Sequence, residues 1–263
     1  VLENLNYLKL ATELRIAVSQ LKGNLAAEKA QAALSDLASA LLAGVLELAR
    51  KEIEQRHGLI GEGGEPGREG AALAIMGYGS LGAGELGYDS DLDIVFLFEP
   101  GAEMSDGKRP LPPERYFARL AQRVLSFLTV MTPSGRLYQV DTRLRPNGRA
   151  GSLVSSIGSF RDYQLNEAWT WELQALTRAR FIAGDPVLAA QFIRIRQEVL
   201  CRQRDEAELA ADLKDMRHKM HREHPAPGQS PKHRKGGLID IEFVAQLGVL
   251  ASARQFPIVL QAT

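Results

Sequence analysis

Asp91-Leu92-Asp93-Ile94-Val95-Phe96-Leu97-Phe98 is the stretch on which the fold depends. It has the length and apolar character of a core strand. Side chains alternate along a strand, so Asp91 and Asp93 share one face, ~7 Å apart along the backbone. Leu92, Ile94, Phe96 and Phe98 take the other face, toward a core. Two carboxylates at the end of a sheet repel each other unless a cation lies between them. Mg²⁺ suits such a pair, because it takes one or two carboxylates and completes its shell with phosphate and water. A solvated strand start carrying two exposed acids is the equally ordinary reading of an isolated Asp-x-Asp.

Outward from this strand the pattern gains detail. Ala71 to Gly77 is a second short apolar run of strand length, followed directly by Gly79-Ser80. A glycine lets backbone approach a ligand closely, and a following helix aims its free N–H groups at phosphate. Ser80 adds a hydroxyl, and Gly82, Gly84 and Gly87 keep the next turn open, although structural turns of this kind are common. Downstream, Pro112 to Met131 repeats at helical spacing, with Phe117, Leu120, Ala121, Val124 and Leu128 on one face. Arg136 to Arg145 alternates like a strand that Pro146 ends. That alternation predicts Asp141, Arg143 and Arg145 on one face, with Tyr138, Val140 and Leu144 in the core. A third carboxylate between guanidiniums fits a two-metal site for phosphoryl chemistry, with the arginines offering bidentate contacts to phosphate or to a partner's acids. A surface salt-bridge set is the plainer alternative.

The ends of the chain read as helix. Leu10, Leu14, Ala17 and Leu21 recur at helical spacing until Gly23-Asn24, and an alanine-rich run follows from about Ala26 to Gln55. Six glycines and one proline between Gly58 and Gly70 predict a flexible connection. Helical patterns resume after Pro186, and Met216 to Gly237 is expected to be a basic loop. The division is therefore a helical segment 1–58, a Gly-rich linker 59–70, a core 71–185, and the start of a C-terminal helical region at 186–263. The fold class is α+β: a core with a short mixed β-sheet, flanked by helical segments at both ends.

Bulk properties narrow the partners. With 32 basic and 32 acidic residues, the zero net charge argues against a nucleic-acid polymer, which is held mainly by excess Lys and Arg. A small polyphosphate needs only a few local cations. A single cysteine, Cys201, makes the cytoplasm the expected compartment. No apolar run is expected to span a bilayer, so no membrane partner is predicted. The first residue is Val rather than Met, and the chain is expected to be part of something longer.

Taken together, Gly79-Ser80, Asp91-x-Asp93 and the distal Asp141 resemble the polymerase-beta-type nucleotidyltransferase superfamily. Longer stretches resemble bacterial glutamine synthetase adenylyltransferase. They are Gly77-Tyr78-Gly79-Ser80-Leu81-Gly82, residues 84–93, Val140 to Pro146, the segment Asn166-Glu167-Ala168-Trp169-Thr170-Trp171-Glu172, and residues 235–243. The Gly87-Tyr88 step and the tryptophan segment are similar to the C-terminal, adenylylating half of that bifunctional enzyme. Ser80 stands where many family members have Lys. The resemblance implies transfer of AMP from ATP to a tyrosine of glutamine synthetase, with release of pyrophosphate. It implies Asp91, Asp93 and Asp141 as catalytic residues and ligands of Mg²⁺ (or Mn²⁺). Gly79, Ser80, Arg143 and Lys235 are the expected nucleotide contacts, and Arg145 the contact to the protein substrate. A PII-type nitrogen signal protein is the regulatory partner that the family implies. The alternatives are the phosphorolytic AMP-removing half and a catalytically silent docking domain.

Other features have ordinary readings beside functional ones. His218, His221, His224 and His233 lie in one basic stretch, where a mobile solvated loop outweighs a zinc site. One of Trp169 and Trp171 is expected in the core. Asp240 and Glu242 are either supporting carboxylates or a helix cap, and Glu85 is expected to orient backbone.

Overall fold

The computed structural model describes residues 1–60, 72–101, 104–223, 231 and 234–260, with the side chain of residue 221 excepted. Two antiparallel helices come first, α1 (Leu2–Leu21) and α2 (Ala27–His57), separated at Gly23-Asn24 as the sequence predicts. The Gly-rich stretch 61–70 falls outside the described residues. Its approach does not: Ile60 is buried, and Leu59 and Asp106 exchange hydrogen bonds.

β1 (Leu73–Gly77) and β2 (Leu92–Phe98) are antiparallel neighbours, joined through the short helix α3 (Gly79–Ala83). After α4 (Pro113–Thr129), β3 (Val140–Asp141) and β4 (Val154–Ser156) both pair parallel with β2, one along each half of its outer edge. Two helices, α5 (Ile157–Asn166) and α6 (Thr170–Thr177), lead to β5 (Arg180–Gly184), antiparallel on the far side of β1. The sheet is therefore mixed, in the order β3-β2-β1-β5 with β4 beside β2. Helices α7 (Pro186–Leu200), α8 (Glu206–Glu223) and α9 (Leu238–Ser252) follow. This is the α+β fold with helices at both ends that the sequence implies.

The sheet is buried on both faces. Ile75, Ile94, Phe96 and Phe98 pack toward α2 and α4, where the Phe98 and Phe117 rings stack at 4.8 Å. Ala74, Met76, Val95 and Leu97 pack toward α5, α7 and α9. Hence β2 reads as a continuous apolar run after its acids, because both faces are covered. α2 corrects one expectation. By length and composition it is apolar enough to cross a membrane. In this fold Leu34, Ala38, Leu41, Leu42, Val45 and Ala49 line its buried face against sheet and α4, as in a core helix.

Two further expectations change. The predicted strand through Arg145 stops at Asp141, because residues 142–151 coil into a tight loop with Asn147 in the left-handed region at φ 60°. The basic segment is helical through Glu223, and residues 224–230, 232 and 233, with His224 and His233, lie outside the described residues.

One buried polar contact ties the N-terminal helices to the loop after α3. Ser35 of α2 is 1% exposed; its hydroxyl donates to the Gln31 carbonyl (2.9 Å) and accepts from the Leu86 N–H (3.1 Å). Tyr88, in the same loop, donates to Gln20 of α1 at 3.0 Å. Ser35→Ala is expected to cost about 1–3 kcal/mol by leaving the buried Leu86 N–H unpaired. Ser39→Ala loses only a bond to the Ser35 carbonyl (2.8 Å) and is expected to change little. Thermal denaturation of the two variants checks the difference.

Candidate active site at one end of the sheet

Strand directions bring the sequence-predicted residues to a single edge. β2 and β3 begin, and β1 ends, at the same end of the sheet. Asp93 and Asp141 are register partners on adjacent parallel strands, both partly buried. Asp91, one residue before β2, is exposed. The Tyr78 N–H donates to the Asp93 carbonyl at 2.8 Å, which draws the end of β1 onto the acid. The chain then turns into α3 at Gly79, with φ +54°. A Cβ placed on Gly79 would lie 2.5 Å from Asp93 Oδ2. Both the left-handed backbone and the contact demand glycine here. Ser80, partly buried, is the second residue of that helix.

Arg143 supplies the counter-charge. Its Nε donates to Asp141 Oδ2 at 2.6 Å, its backbone N–H donates to Oδ1 at 2.8 Å, and a terminal guanidinium nitrogen pairs with the same carboxylate. Burial pushes the Asp141 carboxyl up, but these bonds and the positive charge outweigh it and hold the group below the usual carboxylate range. The Arg143 guanidinium is raised in turn, chiefly by Asp141 and further by the charges of Asp93 and Asp91. One cation thus already feels all three carboxylates. Among the described residues no three His, Cys, Asp or Glu side chains converge into a closed metal cage. An open pair of partly buried carboxylates with a third beside it still suits a hard ion that completes its shell with phosphate and water.

Arg145 is not on the face that strand alternation implied. Its guanidinium donates to the Thr142 carbonyl (2.6 Å), the Thr142 hydroxyl (2.9 Å) and the Gly151 carbonyl (3.4 Å), so it braces its own loop. Lys235 is exposed, three residues before α9. Asp240 accepts from the Gly236 N–H (2.5 Å), just ahead of the α9 N-cap, and pairs with Arg217. Neither tryptophan is fully buried: Trp171 is partly covered, and Trp169, the N-cap of α6, is 70% exposed.

Sequence reading missed Arg178. It follows α6 and pairs with Glu85 from the loop after α3 and with Glu242 of α9 at 3.0 Å. Its backbone carbonyl lies where a Cβ on Gly82 would sit, 2.0 Å away, so α3 rests directly on it. The only sequence signal was an arginine between a helical segment and a strand, which by itself names no partner.

The family model for glutamate-ammonia ligase adenylyltransferase matches residues 1–195. The chain belongs to that family. It is 47% identical over 266 residues to the bifunctional glutamine synthetase adenylyltransferase/adenylyl-removing enzyme of Xanthomonas campestris pv. campestris, covering 99% of this chain and 28% of that protein. Identity to the enzyme of the same name from Methylococcus capsulatus is 46% over 255 residues, 95% of this chain and 27% of that protein. For Nitrosococcus oceani it is 45% over 253 residues, 94% and 26%. The chain thus spans little more than a quarter of the length of these relatives. The match covers the whole carboxylate edge, from Gly79 through Asp91 and Asp93 to Asp141.

The Asp141–Arg143 pair has a direct test. A depressed folded value means that the pair stabilises the protein above the ordinary aspartate value of about 3.9 and that this is lost as pH falls through the folded value. Carboxyl ¹³C titration should place Asp141 below that reference and return it upward in Arg143→Ala. An Asp141 midpoint that does not move between the two proteins would contradict the pairing.

Proposed function

We propose that this chain belongs to the adenylylating half of a glutamine synthetase adenylyltransferase, moving AMP from ATP to a tyrosine hydroxyl of glutamine synthetase and releasing pyrophosphate. One observation carries the reading. Asp93 and Asp141 face each other in register at the point where Gly79 leaves no room for a side chain, with Asp91 two residues upstream. Such an edge admits a polyphosphate closely and answers its charge only with a cation between.

In this reading Asp91, Asp93 and Asp141 hold Mg²⁺ or Mn²⁺. When bound, these ions neutralise the triphosphate and the leaving pyrophosphate. Gly79 lets the chain approach the phosphates, and the Ser80 hydroxyl donates to them. Arg143, whose side chain is 62% exposed, moves between Asp141 and a phosphate oxygen. Lys235, at the foot of α9, adds a second cation. A free tyrosine holds its proton to about pH 10, so the attacking phenol needs an acceptor. Asp141, released as Arg143 turns to the phosphate, takes that proton as the phenol oxygen bonds to the α-phosphorus and the bond to pyrophosphate breaks. Arg145 shapes the loop that glutamine synthetase meets. ATP and glutamine synthetase place the reaction in the cytoplasm, with a PII-type signal protein as its regulator.

The adenylylating assignment is supported by the Gly87-Tyr88 step and by the tryptophan segment at 166–172. With labelled ATP and glutamine synthetase, label should enter the protein only when divalent metal is present. Asp91→Asn and Asp93→Asn should each lower that rate by roughly a hundredfold or more at saturating metal. More than a tenth of the parent rate in either variant overturns the carboxylate assignment. Release of ADP from adenylylated glutamine synthetase and phosphate, without label transfer, assigns the chain to the AMP-removing half instead.

A further inference from the structure

The sheet edge that holds the carboxylates continues past β1. β5 pairs with β1 in the register Gly77↔Arg180, so Arg178 stands at the same end of the sheet. Two strand spacings separate β2 from β5, ~10 Å in all. α3 bridges that interval: Gly79 abuts Asp93 at its start, and Gly82 abuts the Arg178 carbonyl near its end. Beyond it opens a cleft of about 420 Å³ between α3, the end of α6 and α9.

The lining of this cleft selects its occupant. Ala83, Leu238, Ile241, Ala245 and Val249 make its walls apolar. The cation at its rim, Arg178, is paired with both Glu85 and Glu242, so the three groups together carry a net negative charge. A phosphate is repelled there, whereas a flat uncharged heterocycle is not. Gln246 also lines the cleft, and its carboxamide oxygen already accepts from Gln174 at 2.9 Å. Its amide N–H groups are therefore the donors left for a ligand, and the Glu85 and Glu242 carboxylates, which also line the cleft, are acceptors. A cleft that offers both a donor and acceptors suits an adenine edge, which carries a ring nitrogen next to an amino group.

We propose that this cleft is the nucleobase subsite, taking the adenine of a nucleotide whose phosphates lie over Asp93 and Gly79. The proposal rests on the nucleotidyl-transfer reading and adds where the base goes and which residues recognise it. Ala245 is an exposed position on α9, so Ala245→Trp fills the cleft without entering the core. Val244 is also exposed on α9, at 69%, but does not line the cleft, so Val244→Trp is the control.

Calorimetric titration with Mg²⁺-ATP and with Mg²⁺-tripolyphosphate, which lacks base and sugar, separates the possibilities once melting curves show both variants folded. Ala245→Trp should weaken ATP at least tenfold and leave tripolyphosphate within twofold, while Val244→Trp changes neither. Equal weakening of both ligands overturns the subsite by showing that the cleft takes phosphates. Unchanged ATP affinity in Ala245→Trp, with ATP binding still lost in Asp93→Asn, overturns the subsite but leaves the transfer reading standing. Failure of the parent protein to bind ATP at all overturns both.

Discussion

The approach of Gly79 to the Asp93 carboxylate is the constraint around which this end of the molecule is arranged. No side chain fits between them, and the backbone at Gly79 is left-handed. The turn out of β1 must therefore be a glycine, and α3 must start directly over the acid. That placement fixes the rest. α3 is only five residues long, so its far end falls on Arg178, and the loop that returns to Asp91 has to pass over α2. Ser35 and Gln20 meet that loop from the two N-terminal helices, which makes the helical hairpin part of the site's support.

A second layer of buried polar groups holds the opposite side. Arg196 of α7 is 9% exposed; it donates to the carbonyls of Leu176 (3.0 Å), Thr177 and Leu260 (2.7 Å). Burial lowers its affinity for its proton, and bonds to the carbonyls that end α6 satisfy it instead. Glu172 is buried too. Desolvation pushes its carboxyl up against the opposing bonds from the Trp169 N–H and the Tyr163 hydroxyl. These contacts fix the end of α6 and, with it, Arg178. The chain thus has a rigid floor beneath the two strands and the helix that bear the candidate site.

Much of this was legible in the sequence because it rests on short-range rules. Strand alternation placed Asp91, Asp93 and the apolar face of β2, and helical spacing placed α1, α2 and α4. What failed was long-range or compensated. Residues 142–145 alternate as a strand does, yet Arg145 finds four acceptors within its own loop and the chain coils there instead. The apolar length of α2 was underread because its burial comes from a sheet that begins sixteen residues later. Arg178, Glu85 and Glu242 are far apart in sequence and meet only through the packing of α9, so no local pattern announced them. The parallel pairing of β3 with β2, which sets Asp141 opposite Asp93, likewise has no local signature in a two-residue strand.

The central claim is that the carboxylate edge binds a divalent ion together with a nucleotide. Electron paramagnetic resonance of Mn²⁺, titrated into the protein with and without a non-hydrolysable ATP analogue, tests it most directly. The account predicts that the analogue strengthens Mn²⁺ binding and that Asp93→Asn abolishes the gain while its melting temperature stays near that of the parent. Mn²⁺ bound equally well with and without the analogue, or undiminished in a folded Asp93→Asn protein, would contradict it.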